Sequence, residues 1–137
     1  MPTALRTGAV LVFDGDCGFC TTSVTWLADR FPGSFAIAPY QRVDLDALGL
    51  TARECDEKVQ WIGDVTAPVT TRAEGAAAVG RLLTVGGRAR GGAVGVAARG
   101  LGTLALVRPT SYAAAIVYSW VAANRQRLPG GTPACAL

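Results

Sequence analysis

Two cysteines three residues apart, Cys17 and Cys20, are the residues of this 137-residue chain that most clearly predict chemistry. They follow Asp14, Gly15 and Asp16 at the end of an apolar run, and a helix is expected to begin beside them. In such a pair one thiolate attacks a disulfide, and the other thiol resolves the mixed disulfide that forms. The spacing therefore predicts a dithiol that exchanges with disulfides.

Helix geometry predicts different roles for the two cysteines. Cys20 belongs to the apolar stripe of the predicted helix, so we expect it to be buried against the sheet as the resolving thiol. Cys17 is expected at the exposed first helical position, where free backbone N–H groups and the helix dipole stabilise a thiolate, which makes it the nucleophile. Asp16 is predicted to cap the helix, and its negative charge favours a reducing couple.

The sequence allows two roles each for Asp14 and Cys135, and one for Cys55. Asp14 is either a turn residue that bonds nearby backbone N–H groups or a general base that takes a proton from Cys20 during exchange. Cys55 is expected to be a buried small side chain in a short helix. Cys135 is either a third redox thiol or a residue without a redox role.

The sequence contains no histidine, which excludes Cys–His and Ser–His catalysis and every zinc site that needs an imidazole. A zinc site would need all four cysteines together, or a carboxylate in place of one of them. Structural zinc sites usually supply two close cysteine pairs, whereas Cys55 and Cys135 are isolated. We therefore expect no metal and no bound cofactor, and a thiolate metal-binding module is the alternative function.

Hydrophobic periodicity predicts an α/β order of elements around the cysteines. Ala9 to Phe13 is a continuous apolar run, typical of a central strand covered on both faces. Two Thr-x-x-Glu segments, Thr51 to Glu54 and Thr71 to Glu74, are predicted to be capping boxes that begin helices. Residues 86–102 contain seven glycines, and only a loose helix over 93–101 is predicted there. The other predicted elements are a helix over 18–31, strands over 35–38, 58–62 and 65–70, and a last helix over 111–125.

Length and composition predict a single domain over residues 1–137, with its core at about 8–128 and a flexible tail over 129–137. The start of the chain does not resemble a secretory signal, and the apolar stretch over 91–107 is too short for a spanning helix, so a cytoplasmic location is expected. Residues 67–137 hold eight arginines and one acid. These arginines are spread out without interleaved aromatic residues, so no nucleic-acid partner is expected.

The pattern Asp14-x-x-Cys17-x-x-Cys20 after a buried strand, with Gly15 following the aspartate, resembles the signature of the DCC family of thiol-disulfide oxidoreductases. The resemblance implies a thioredoxin-like fold, in which a four-stranded mixed sheet is flanked by helices, with additional helices at the C-terminus. It also implies protein-disulfide reductase activity with Cys17 and Cys20 as the redox pair.

The second half of the chain extends the resemblance to about residues 8–128. Tyr118 followed by Asn124 and Arg125 resembles the family's late helix, and a helix opening at Glu74 fits its pattern. Arg125 is either a structural clasp that bonds the last carbonyls of its helix or a residue that acts directly near the thiols. The stretch before the third predicted strand lacks the cis-proline with which thioredoxins bind substrate backbone, so the sequence departs from thioredoxin there.

The preferred interpretation is a thiol-disulfide oxidoreductase that acts on a disulfide-bearing protein or a small thiol substrate, with an electron donor that the sequence does not identify. Besides the metal-binding module, the other alternative is a thioredoxin-like adaptor whose dithiol senses oxidation without turnover.

Overall fold

The structure, a computed structural model, describes residues 8–63, 71–128 and 131. Four strands form one mixed sheet in the order β2-β1-β3-β4. Strand β1 runs parallel to β2 and antiparallel to β3, and β3 runs antiparallel to β4. The strands are β1 (Val10–Phe13), β2 (Ala36–Pro39), β3 (Gln60–Ile62) and β4 (Arg72–Glu74). With helices between and after the strands, the chain has the α/β, thioredoxin-like fold that the sequence predicts.

The helices that flank the sheet are distributed over its two faces. They are α1 (Gly18–Arg30), α2 (Leu45–Leu48), α3 (Ala52–Glu57), α4 (Gly75–Arg90), α5 (Gly92–Leu106) and α6 (Thr110–Asn124), with a short 3-10 helix at Tyr40–Arg42. Buried residues of α1, α4 and α5 share one hydrophobic cluster, and buried residues of α2 and α3 belong to another. Helix α6 contacts α4 and α5 and has no buried residue.

Strand β1 is the centre of the fold, as its apolar sequence predicts. All four of its residues are buried. Because side chains alternate along a strand, Leu11 and Phe13 enter the cluster that includes α1 and α4, whereas Val10 and Val12 enter the cluster beneath α2 and α3. The strand therefore joins the two cores and places its last residue beside the start of α1.

One of the two predicted capping boxes is confirmed and the other is wrong. Thr51 caps α3, and its side chain and that of Glu54 exchange the two expected hydrogen bonds. Residues Arg72–Glu74 instead form β4, because they pair with β3, and α4 begins only at Gly75. The predicted strand over 65–70 lies outside the described residues.

The glycine-rich segment forms the end of α4 and the start of α5, which are longer than the sequence predicts. Helix α4 extends to Arg90 instead of ending near residue 83, and α5 extends to Leu106. The two helices pack closely: a Cβ built on Gly102 would lie 2.6 Å from the Gly80 carbonyl oxygen. The backbone contact between helices offsets the cost of glycine in a helix, which local propensity cannot anticipate.

Helices α5 and α6 expose most of the large apolar side chains on the surface that the structure describes. These exposed side chains are Val94, Val96, Leu101, Leu104, Val107, Tyr112, Ile116, Val117 and Trp120. Within the described ranges, no helix combines the length and the apolar character that crossing a membrane requires.

We expect Gly102→Ala to lower the free energy of unfolding by about 1–3 kcal/mol, because the added methyl group would force α4 and α5 apart. Gly100→Ala, on the same helix, is the matched control: a Cβ there meets no heavy atom within 4 Å. The control should raise the free energy of unfolding by about 0.5–1 kcal/mol through helix propensity. Urea unfolding of the two variants measures both changes, and a stabilising Gly102→Ala would contradict the packing described.

Candidate active site

The turn between β1 and α1 is held by the Asp14 carboxylate, which is buried. Its Oδ1 accepts hydrogen bonds from the backbone N–H of Asp16 at 3.0 Å and from the side-chain amide of Gln41 at 2.9 Å. The Gln41 side chain also accepts from the backbone N–H of Gly15. Gly15 approaches Pro39 so closely that a Cβ would collide with it. These contacts support the turn interpretation of Asp14, and its general-base role stays a prediction.

Cys17 is the N-cap of α1, so the prediction that Asp16 is the cap is wrong. The Cys17 Sγ accepts a hydrogen bond from the backbone N–H of Cys20 at 3.4 Å. In the turn that precedes α1, the Asp14 side chain accepts a hydrogen bond from the backbone N–H of Asp16. The Cys17 sulfur therefore lies at the positive end of the α1 dipole, as the sequence predicts.

The predicted difference in exposure between the two cysteines is wrong in this structure. Cys17 is fully buried, and Cys20 is 9% exposed. Cys17 is disulfide-bonded, whereas Cys20 and Cys55 are free thiols. Cys135 lies outside the described residues.

Arg125 lies beside the Cys20 thiol, although the two residues are 105 positions apart in the sequence. Its Nη1 lies 3.5 Å from the Cys20 Sγ, and its Nη2 donates to the backbone carbonyl of Asp56 at 2.8 Å. The guanidinium is buried. Of the two interpretations of Arg125, the contact with Cys20 supports a position directly at the thiols, and the hydrogen bond to Asp56 also clasps α3.

Burial and two charges act in different directions on the pKa of Cys20. Removal from water raises the pKa above the ordinary value of 9.0, and this effect is the largest. The Arg125 guanidinium lowers it through its charge and its hydrogen bond, while the Asp14 charge raises it further. Cys55, buried in α3 as expected, has its pKa raised to about 11 mainly by burial.

A cavity of about 450 Å³ opens beside Cys20, between α1 and α6. Its walls are almost entirely apolar, and Cys20, Tyr118 and Arg125 are among the residues that line it. The Tyr118 hydroxyl accepts a hydrogen bond from the backbone N–H of Val59 at 3.1 Å, which holds α6 against the start of β3. Neither Gln41 nor the cavity was identified from the sequence, because both depend on contacts between distant segments.

The metal-binding alternative concerns the same sulfurs. Among residues 8–63, 71–128 and 131, no three side chains of the metal-ligating types come together.

The fold and the cysteine pair at the start of α1 define a thioredoxin-like protein. The family model described as DCC1-like thiol-disulfide oxidoreductase matches residues 11–131, so the chain belongs to this family, as the sequence motif predicts. No curated protein and no solved structure matches the chain significantly.

Replacing the arginine should make the Cys20 thiolate harder to form. In a Cys17→Ser, Cys55→Ser, Cys135→Ser background, Cys20 is the sole thiol, and its rate of alkylation by iodoacetamide reports the thiolate fraction. Arg125→Gln removes a charge that lowers the Cys20 pKa, so the pH midpoint of alkylation should move upward. Arg127→Gln, an exposed neighbour, is the control and should leave the midpoint in place. Equal midpoints in both variants would contradict the contact.

Asp14→Asn separates the two interpretations of Asp14. The asparagine oxygen can still accept from Asp16 and Gln41, so the turn should be kept. Loss of the negative charge should move the alkylation midpoint of Cys20 to lower pH, because the Asp14 charge raises the Cys20 pKa. If Asp14 is a turn residue, disulfide exchange at neutral pH should be unchanged or faster. A fall of about a hundredfold would instead indicate a general base.

Proposed function

We propose that this chain is a thiol-disulfide oxidoreductase of the protein-disulfide reductase type, in which Cys17 attacks the substrate disulfide and Cys20 resolves the mixed disulfide. The proposal rests on the geometry of the pair: at the start of α1 the Cys17 sulfur accepts a hydrogen bond from the backbone N–H of Cys20 at 3.4 Å, and the Cys20 sulfur lies 3.5 Å from the Arg125 Nη1. Membership of the DCC1-like family supports the same reaction class.

The first step begins with the reduced dithiol. The Cys17 thiolate attacks one sulfur of a substrate disulfide, so a bond forms between Cys17 and that sulfur, and the other substrate sulfur leaves as a thiolate. The backbone N–H of Cys20, which points at the Cys17 sulfur, would stabilise the attacking thiolate together with the helix dipole.

In the second step Cys20 loses its proton, and its thiolate attacks the Cys17 sulfur. The Cys17–Cys20 disulfide forms, the remaining substrate sulfur leaves as a thiolate, and two electrons have passed from the dithiol to the substrate. Arg125 supports this step, because its guanidinium lies against the Cys20 sulfur where negative charge develops. The low thiolate fraction of a buried thiol is compensated by the closeness of the bond that it attacks.

A thiol or dithiol donor must then reduce the Cys17–Cys20 disulfide to complete a cycle, and dithiothreitol serves this purpose in an assay. The expected substrate class is a disulfide-bearing protein or a small disulfide. The cytoplasmic location stays a prediction from the sequence.

The two cysteines should respond differently to substitution in insulin reduction with dithiothreitol. Cys17→Ser should reduce the rate to that of dithiothreitol alone, because no nucleophile remains. Cys20→Ser should still form the mixed disulfide with insulin but resolve it slowly, so the covalent adduct should accumulate on non-reducing gels. Mass spectrometry of the adduct should place its bond at Cys17.

Cys55→Ser is the matched control for loss of one sulfur. Cys55→Ser should retain the wild-type rate, because this buried thiol lies in α3 on the other face of the sheet. A Cys17→Ser variant that reduces insulin normally, or an adduct formed through Cys20 alone, would overturn the proposed roles.

A further inference from the structure

The cavity beside Cys20 has the size and composition of a binding site for an apolar group. Its volume of about 450 Å³ falls within the range of small-molecule sites. Its two long walls are helical stripes: Cys20, Val24 and Leu27 follow one face of α1, while Val117 and Val121 follow one face of α6. The α1 residues are spaced by four and three positions and the α6 residues by four, so each set lies on one face of its helix, towards the cavity.

Small side chains keep the cavity open. Ala76, Ala105, Ala114 and Ala122 line it, where larger apolar residues would fill the space. The space that they leave is an apolar surface that opens beside a thiol, as expected where an apolar substrate group is bound.

The cavity lies beside the cysteine pair, where a substrate disulfide would react. Cys20 lines the cavity, and the Cys17 sulfur lies 3.4 Å from the backbone nitrogen of Cys20. A residue next to a substrate cysteine bound at Cys17 is displaced by about 3.8 Å along the chain, so its side chain can reach the cavity. Arg125, a charged residue of the lining, bonds the Cys20 sulfur and the Asp56 carbonyl. The rest of the lining is mainly apolar.

We propose that this cavity is the specificity subsite of the exchange reaction, and that it binds a bulky apolar side chain adjacent to the substrate cysteine. The inference rests on the proposed function, since it assigns the substrate class of the same site. The preferred substrate is a disulfide flanked by aromatic or branched aliphatic groups.

Two model disulfides test this assignment. They are the symmetric disulfides of N-acetylated tripeptide amides, one with cysteine between two phenylalanines and one with cysteine between two serines. The ratio of their kcat/KM values is divided by the ratio of their rates with dithiothreitol alone, which removes the difference in intrinsic reactivity. We expect the wild-type protein to favour the phenylalanine peptide by about tenfold or more after this correction, because its side chain is buried in the cavity.

Variants of α6 provide the matched comparison. Ala122→Phe fills the cavity and should abolish the preference, while Ala123→Phe, at the exposed neighbouring position, should keep it. Ala114→Leu and its exposed neighbour Ala113→Leu form a second pair with a smaller added volume, in case Ala122→Phe does not fold.

The outcomes separate the two proposals. Equal corrected rates for the two peptides, or an equal loss of preference in the cavity variant and its exposed control, would overturn the cavity assignment and leave the exchange reaction standing. Absence of turnover on both peptides by the folded wild-type protein would overturn the proposed function itself.

Discussion

The buried guanidinium of Arg125 is the interaction on which the arrangement of the site depends. A buried charge is costly unless its donors are bonded, and here they reach the Cys20 sulfur of α1 and the Asp56 carbonyl at the end of α3. One side chain therefore ties the end of α6 to both faces of the sheet. Tyr118, two turns earlier, adds a second attachment through the Val59 N–H. These attachments hold α6 beside α1, and the cavity is the space that remains between the two helices.

The same contact explains how a buried thiol can take part in exchange. Burial alone favours the neutral thiol of Cys20, and the charge of Asp14 acts in the same direction. Arg125 opposes both effects, so the thiolate is stabilised locally at the sulfur that must attack. The resolving role that we propose for Cys20 suits this environment, because the target of a resolving thiol is an adjacent sulfur and no free substrate has to reach it from water.

Two segments with the same Thr-x-x-Glu pattern form different structures, which shows the limit of prediction from neighbouring residues alone. Both Thr51 to Glu54 and Thr71 to Glu74 have the residue types of a capping box, and only the first forms one. The second segment pairs with β3, and this ladder takes up the backbone groups that a helix would use. A similar competition acts in α4 and α5, where close approach of glycine backbones supports helices that propensity alone disfavours. In both places a contact between distant segments outweighs the local preference.

The sequence by itself determined the central strand, the helix that follows it and the cysteine pair at their junction, because an apolar run, a helical stripe and a two-residue spacer are properties of neighbouring residues. It also contained the family motif. Only the tertiary structure decided that Arg125 meets Cys20, that Gln41 bonds Asp14, and that Cys17 is more deeply buried than Cys20. The first two of these features arise from contacts across 105 and 27 positions, for which periodicity and spacing carry no information.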